Sequence, residues 1–376
     1  MGVNDLKGSL GRLSGCVGLS WMRFVVCLIV STMVLVGCTD AEERFLNEQF
    51  DLNRISQPQD GAILLALVRA DGSVAAVDTG EAPLGPGDPI RIASITKAFT
   101  SALVLILVDD GLVDLDAPAS AYLPRLSLPE DVTVRHLLSQ RSGLADYTQH
   151  AIYGNAEDGN ATAWTPEGLY RLIEDDSMNF QPGSRFEYTN TNHMVLGLLT
   201  EEVTGQPYHQ ALRERVLDPL GLDATYLSYY EQGDKPQDAY TGQLGGPVAP
   251  VDFDYSAIAT TVWSAGGLVS NVVDVHKFFT ALSTGEIISS PLFSEMITAT
   301  GVDSRRDPAR RHDYGLGVEL FDSPEVVYGA RGNLPGYITL VMHSPETLET
   351  FMYVSTNDQH HNVSRILDYA AQQVSN

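Results

Sequence analysis

The run Ser94-Ile95-Thr96-Lys97 sets a hydroxyl and an amine three residues apart at the opening of an apolar stretch. On a helix, positions i and i+3 share a face, so the two side chains can meet. The chemistry open to such a pair is nucleophilic acyl transfer. A lysine kept from water is pushed toward its neutral amine, which can accept the serine proton. The first-turn amides of a helix are unpaired and its N-terminus carries partial positive charge, so an oxyanion formed at Ser94 would be stabilised. Only four lysines occur in the chain (Lys7, Lys97, Lys235 and Lys277), yet chance alone can give one of them this spacing. Context therefore carries the argument. Ala102 to Val108 is apolar all round, and a lysine without a task is an expensive choice at the head of a buried helix.

Tyr188-Thr189-Asn190 is the second candidate, placed after the Pro182-Gly183 turn and just before a helical pattern. In extended backbone, residues i and i+2 point to the same side. Tyr188 can then exchange protons with Ser94 and Lys97, and Asn190 offers an amide to orient the lysine or a substrate carbonyl. Tyr153-Gly154-Asn155 has the same spacing, so spacing alone does not choose between them. The absence of a Gly-x-Ser-x-Gly elbow argues against a Ser-His-Asp hydrolase. No His-Glu-x-x-His or similar metal spacing is present; His360-His361 reads as a surface turn, and His136 and His193 as structural residues of helices.

These residues need a scaffold, and the pattern supplies one. Ala62 to Arg69 and Val74 to Thr79 read as two strands around an Asp71-Gly72 turn. A helix is expected from Ser94 to Val108, ending at Asp109-Asp110-Gly111. The middle, roughly residues 112–250, carries helical patterns broken by Pro and Gly, among them Val132 to Gln140 and Asn192 to Thr204. Strand patterns return at Gly315 to Phe321, Glu325 to Tyr328, Tyr337 to His343 and Glu349 to Ser355, before a closing helix from about Asn362 to Val374. Strands at both ends with helices between them predict an α+β fold: an antiparallel sheet built from both termini with flanking helices, plus an inserted, mainly helical subdomain.

Size and charge narrow the function. With 376 residues and 44% apolar content the chain can bury one large core. A net charge of -25 opposes binding to nucleic acid and polybasic attachment to anionic membranes. Arg23 precedes the run Phe24 to Val36, apolar but short for a membrane span, so residues 1–37 read as an export signal; Met1 and Met22 are both candidate starts. The run ends in Leu35-Val36-Gly37-Cys38, which resembles the lipobox of bacterial lipoproteins. That likeness implies lipidation at Cys38, a linker over residues 38–60, a catalytic domain over 61–376 and a place in the cell envelope, with Thr39 after the cysteine favouring the outer membrane. Cys16, Cys27 and Cys38 are the only cysteines, so no disulfide or thiolate metal site forms after Cys38. The expected membrane link is the lipid anchor alone.

Taken together, Arg91-Ile92-Ala93-Ser94-Ile95-Thr96-Lys97, Val132-Thr133-Val134-Arg135-His136-Leu137-Leu138, Ser142-Gly143-Leu144, Gln181-Pro182-Gly183, Tyr188-Thr189-Asn190-Thr191-Asn192, Asp218-Pro219-Leu220-Gly221-Leu222 and Ser264-Ala265-Gly266-Gly267-Leu268 span most of the chain. The chain resembles the serine beta-lactamase and D-alanyl-D-alanine carboxypeptidase superfamily, in its class C-like branch, which also contains esterases. The resemblance implies a site between the sheet part and the helical part. By it Ser94 is the nucleophile, Lys97 and Tyr188 form the proton-transfer group, and Asn190 helps bind a small-molecule or peptide acyl substrate. No metal or organic cofactor is implied, and the oligomeric state stays open.

One motif departs from that family. Its third element is a Lys or His, a variable residue, then Gly; here the stretch is Tyr328-Gly329-Ala330-Arg331-Gly332-Asn333. Ala330 stands where the cation belongs. Arg331 should point to the opposite face of a strand unless a bulge re-aims it. Gly332 still allows close approach, and the Asn333 N–H can join that of Ser94 in an oxyanion hole. Loss of the cation favours an ester or another neutral acyl substrate over carboxylate-bearing peptides and beta-lactams. It also motivates a rival from another class, a binding protein that kept the fold and lost turnover.

Overall fold

The computed structural model describes residues 61–80, 83–150, 163–241, 249–250, 255–302, 313–323 and 325–358. The stretches read as an export signal, a linker and a closing helix, together with Cys38, Tyr153-Gly154-Asn155 and His360-His361, lie outside them.

Among the described residues, eight strands form the main sheet: β1 (Ala62–Val68), β2 (Val74–Gly80), β3 (Gly301–Val302), β4 (Asp313–Tyr314), β5 (Glu319–Phe321), β6 (Val327–Leu334), β7 (Tyr337–His343) and β8 (Thr350–Ser355). Their order is β2-β1-β8-β7-β6-β5-β4-β3, antiparallel at every pairing. The opening hairpin turns at Gly72, whose φ of +81° costs glycine little. Its first strand then pairs with the last, Ile63 opposite Ser355 and Val68 opposite Thr350. β1, β7 and β8 are buried along their whole length, which is why apolar residues stand on both faces of each strand and do not simply alternate with polar ones. The expected α+β architecture, a sheet built from both ends of the chain, is present.

Four longer helices lie between the two groups of strands: α1 (Thr96–Asp109), α2 (Asn190–Thr204), α3 (Tyr255–Gly266) and α4 (Val272–Thr284). α1 runs through the middle, touching α2 and α3, with Phe99 stacked on Phe278 of α4 at 3.7 Å between ring centroids. Phe99, Leu103, Val104, Leu105 and Leu107 are fully buried. At about 2 kcal/mol apiece they supply roughly 10 kcal/mol for drawing this helix inside.

Several boundaries differ from the pattern. α2 begins at Asn190, two residues early, because Thr189 is extended and its hydroxyl accepts from Thr191 N–H at 3.2 Å. The helix expected over Val132 to Gln140 is confined to Val134–Leu138, capped by Thr133 and stopped before Gln140, which has φ +58°. The strand expected over Gly315 to Phe321 is confined to β5, Glu319–Phe321, with β4 ending just before it at Tyr314. Gly317 has φ +84°, and a Cβ there would lie 1.8 Å from Ser101 Oγ, so the stretch leaves the sheet to press on α1. The strand expected at Glu325 to Tyr328 starts at Val327 and continues to Leu334, since every residue from Tyr328 to Leu334 has a partner on β7.

Candidate active site

Ser94 lies in a single 3-10 turn, Ala93–Ile95, directly before α1. Ala93 has φ +49°, a conformation that costs an L-residue about 1–2 kcal/mol and persists only where the surroundings hold it. The hold comes from the sheet. A Cβ on Gly332 of β6 would lie 2.5 Å from Ile92 O and 2.8 Å from Ala93 Cβ, so only glycine lets the strand come this close. From β7, the Thr339 hydroxyl donates to Ile92 O at 3.1 Å. Asn333 follows Gly332 on the same strand, exposed and opposite Ile338.

Lys97 is 1% exposed, and its Nζ reaches Ser94 Oγ at 3.0 Å, Asn190 Oδ1 at 2.9 Å and Ala265 O at 2.6 Å. Burial pushes its pKa from the ordinary 10.5 down to about 7, with Asp146 and then Glu319 pulling back toward the charged form. That shift costs about 5 kcal/mol of folding stability at neutral pH, less than the apolar face of α1 supplies. The partners fix what the neutral amine can do. Asn190 Nδ2 donates to Asp146 Oδ2 at 3.3 Å, so its Oδ1 faces the lysine as an acceptor. Ala265 O is likewise only an acceptor. Both remaining N–H groups are taken by these two oxygens, and the lone pair is left for Ser94.

The Tyr188 hydroxyl donates to Ser94 Oγ at 2.9 Å, and its ring centre is 4.9 Å from Lys97 Nζ. Phenol, amine and hydroxyl thus converge, with Asn190 beside them. Tyr188 arrives on a loop stitched to the segment around Ser142-Gly143: Asn179 N–H donates to Gly143 O at 2.8 Å, Gly183 N–H to Arg141 O at 2.9 Å and Glu187 N–H to Gln140 O at 2.9 Å. Gly143 has φ +82°, and a Cβ there would lie 2.2 Å from Phe180 O, so the stitching needs a glycine.

Asp146, Gln140 and the Ala265 carbonyl were not visible as site groups in the sequence. The two side chains flank the Ser142-Gly143-Leu144 motif, which is a signal of place and not of role. A main-chain acceptor leaves no residue-type signal. Trp263, two residues before Ala265, has φ +33° inside α3, and strain beside a site acceptor is a structural marker that the sequence lacks.

Ala330 is buried on the sheet face that packs on α1, opposite Val341. Arg331 points the other way: its Nε donates to Glu319 Oε2 at 2.6 Å and its guanidinium lies 5.9 Å from the Phe321 ring. The register from Tyr328 to Leu334 is continuous, so no bulge re-aims it. Arg331 therefore does not replace the missing cation. His136 closes the cap of its short helix, its Nδ1 accepting from Thr133 N–H at 3.3 Å. His193 is buried, and burial followed by the nearby Lys97 charge keeps it neutral. Among the described residues no three His, Cys, Asp or Glu side chains gather as metal ligands, and no helix is long and apolar enough to cross a membrane.

Asp146 is the larger of the two charges favouring the ammonium form. Asp146→Asn is expected to move the Lys97 titration midpoint below 7, read from its side-chain carbon shift by NMR. An unchanged or raised midpoint would remove Asp146 from the electrostatics of the site.

A family model described as Beta-lactamase matches residues 59–375. PbpX of Bacillus subtilis (strain 168), named as a penicillin-binding protein, is 28% identical over 247 residues, 65% of this chain and 56% of that protein. The chain thus spans little more than half the length of that relative. Among solved structures, a D-stereospecific amidohydrolase from Streptomyces sp. is similar with a TM-score of 0.75 and 25% identity, over 88% of this chain and 97% of the other. The octameric penicillin-binding protein homologue from Pyrococcus abyssi gives 0.74 and 25%, over 90% of this chain and 78% of that one.

Proposed function

Since the chain belongs to the beta-lactamase family, a family of serine acyl hydrolases, we propose that it cleaves neutral esters or amides through an acyl-Ser94 intermediate. The observation that carries this is the three-way junction at Ser94 Oγ, met by Tyr188 at 2.9 Å and by an amine at 3.0 Å whose other partners only accept. Neutral Lys97 takes the Ser94 proton as Oγ bonds to the acyl carbon. The carbonyl oxygen becomes an oxyanion held by the N–H groups of Ser94 and Asn333. When the bond to the leaving group breaks, the Tyr188 hydroxyl gives that group its proton and is resupplied from the Lys97 ammonium. Water then repeats the sequence on the acyl-enzyme. Asn190 orients Lys97 through its Oδ1 while its Nδ2 is held by Asp146, and Gly332 lets the strand come near enough for Asn333 to serve.

The substrate class follows from Ala330. A carboxylate beside the scissile bond has no cation on that strand to meet it, since Arg331 is committed to Glu319 on the opposite face. The likeness to a D-stereospecific amidohydrolase adds D-amino-acid amides to simple esters as candidates. Short p-nitrophenyl esters and D-amino-acid amides are expected to show kcat/KM values about tenfold or more above those of peptides ending in D-Ala-D-Ala and of penicillins. The reverse order would overturn the assignment. In Ala330→His, acylation by a fluorescent penicillin is expected to rise by roughly tenfold; no rise would mean that the pocket is shaped against such ligands by something other than charge. A folded parent protein that no fluorophosphonate labels at Ser94 would favour the non-catalytic rival.

A further inference from the structure

The Tyr188 loop has no regular structure of its own, yet its phenol must stay within hydrogen-bond reach of Ser94. Both neighbours of Tyr188 are tied to one residue. Glu187 N–H donates to Gln140 O at 2.9 Å, and Thr189 N–H donates to Gln140 Oε1 at 3.0 Å. Gln140 is fully buried and left-handed, with φ +58°, a conformation that glutamine adopts only where its surroundings reward it.

Its amide is fully oriented. Oε1 also accepts from Asn192 Nδ2 at 2.6 Å, while Asn192 Oδ1 accepts from the Ser142 hydroxyl at 2.5 Å. With two donors on Oε1, Nε2 must face His193 Nδ1 at 3.4 Å. Neutral His193 then accepts at Nδ1 and donates from Nε2 to Ser101 Oγ at 3.0 Å. Ser101 sits on α1, one turn beyond Lys97. The chain Ser101, His193, Gln140, Thr189 therefore links the helix that carries the amine to the loop that carries the phenol, without passing through the reacting atoms.

We propose that Gln140 is the positioning residue of the Tyr188 phenol: it fixes the backbone on both sides of Tyr188 and registers it against α1. The proposal rests on the reading of Tyr188 as the proton donor to the leaving group. Gln140 touches no substrate, so its loss should misalign the proton delivery and leave substrate binding alone.

Two variants remove the amide differently. Gln140→Gly relaxes the left-handed backbone and empties the site; Gln140→Met keeps the volume and the parent strain but accepts no strong hydrogen bond. Each is assayed on a D-amino-acid amide, whose leaving amine needs a proton, and on the matching p-nitrophenyl ester, whose phenolate leaves without one. Expected for either folded variant is a loss in the single-turnover acylation rate constant of roughly 30-fold on the amide and under about 3-fold on the ester, with substrate binding within about 3-fold. Tyr188→Phe should show the same selectivity, and adding Gln140→Met to it should cost nothing further. Equal losses on both substrates in the Gln140 variants, beside a selective loss in Tyr188→Phe, would overturn the positioning role. Loss of selectivity in Tyr188→Phe itself would instead overturn the proton-donor reading. If Gln140→Gly does not fold, Gln140→Met decides alone.

Discussion

Lys97→Met is expected to lower kcat/KM for a p-nitrophenyl ester by about 10³- to 10⁴-fold, the range that removal of a general base produces. Methionine is close to lysine in length and suits a buried helix, so Phe99, Leu103 and their neighbours keep their packing and the fold survives. What is lost is the lone pair aimed at Ser94. Lys97→Arg gives no rescue, because a guanidinium stays protonated and cannot accept the serine hydrogen. Ser94→Ala is expected to fall at least as far, and the double variant no further than the worse single one, since base and nucleophile act as a unit. The measurement is pre-steady-state ester cleavage together with fluorophosphonate labelling of Ser94. A Lys97→Met protein within about tenfold of the parent would show that another group takes the proton.

The same lysine makes stability depend on pH in a direction opposite to most buried carboxylates. Its native pKa is about 7 against 10.5 ordinarily, so between these values the unfolded chain holds a proton at Lys97 that the folded chain does not. Stability then rises with pH across that window. Relative to Lys97→Met, the parent is expected to gain roughly 3–4 kcal/mol between pH 7 and pH 10, with the difference levelling off below pH 7. Urea unfolding of both proteins at several pH values isolates this term, because every other titrating group is shared. A flat difference would mean that Lys97 is charged in the folded protein throughout, and the proposed base would go with it.

Much of this site was legible because it is built from side chains with rare chemistry in special contexts. An amine at the head of an all-apolar helix is conspicuous, and Ser94 and Lys97 do meet as their spacing indicates; Tyr188 and Asn190, which spacing alone did not single out, join them. The alternation rule placed Arg331 on the wrong face to replace the missing cation, and the continuous register bears that out. The long buried strands were equally plain, since β7 and β8 are apolar on both faces. What escaped was anything whose role is set by backbone path. Gln140 reads as the last residue of a helix and Asp146 as an ordinary loop polar until the left-handed turn at Gln140 and the fold of the next residues aim them inward. The Ala265 carbonyl has no side chain to announce it. The break between β4 and β5 comes from close approach to α1, a contact between segments more than 200 residues apart that local pattern does not encode.

Pairing the first strand of the sheet with the last has a consequence for how this protein comes to exist. Ala62 N–H donates to the hydroxyl of Thr356 across 294 residues, so the sheet closes only around an enormous chain loop. Such high contact order makes for slow maturation, in which helices can form early while β1 waits for β8. During synthesis the hairpin is extruded long before its partner leaves the ribosome. A product stopped short of residue 350 has nothing to pair with that edge, and the scaffold that presses Gly332 against the nucleophile turn is left open. Closure of the sheet behind the nucleophile turn is thus withheld until residues 350–355 have been made.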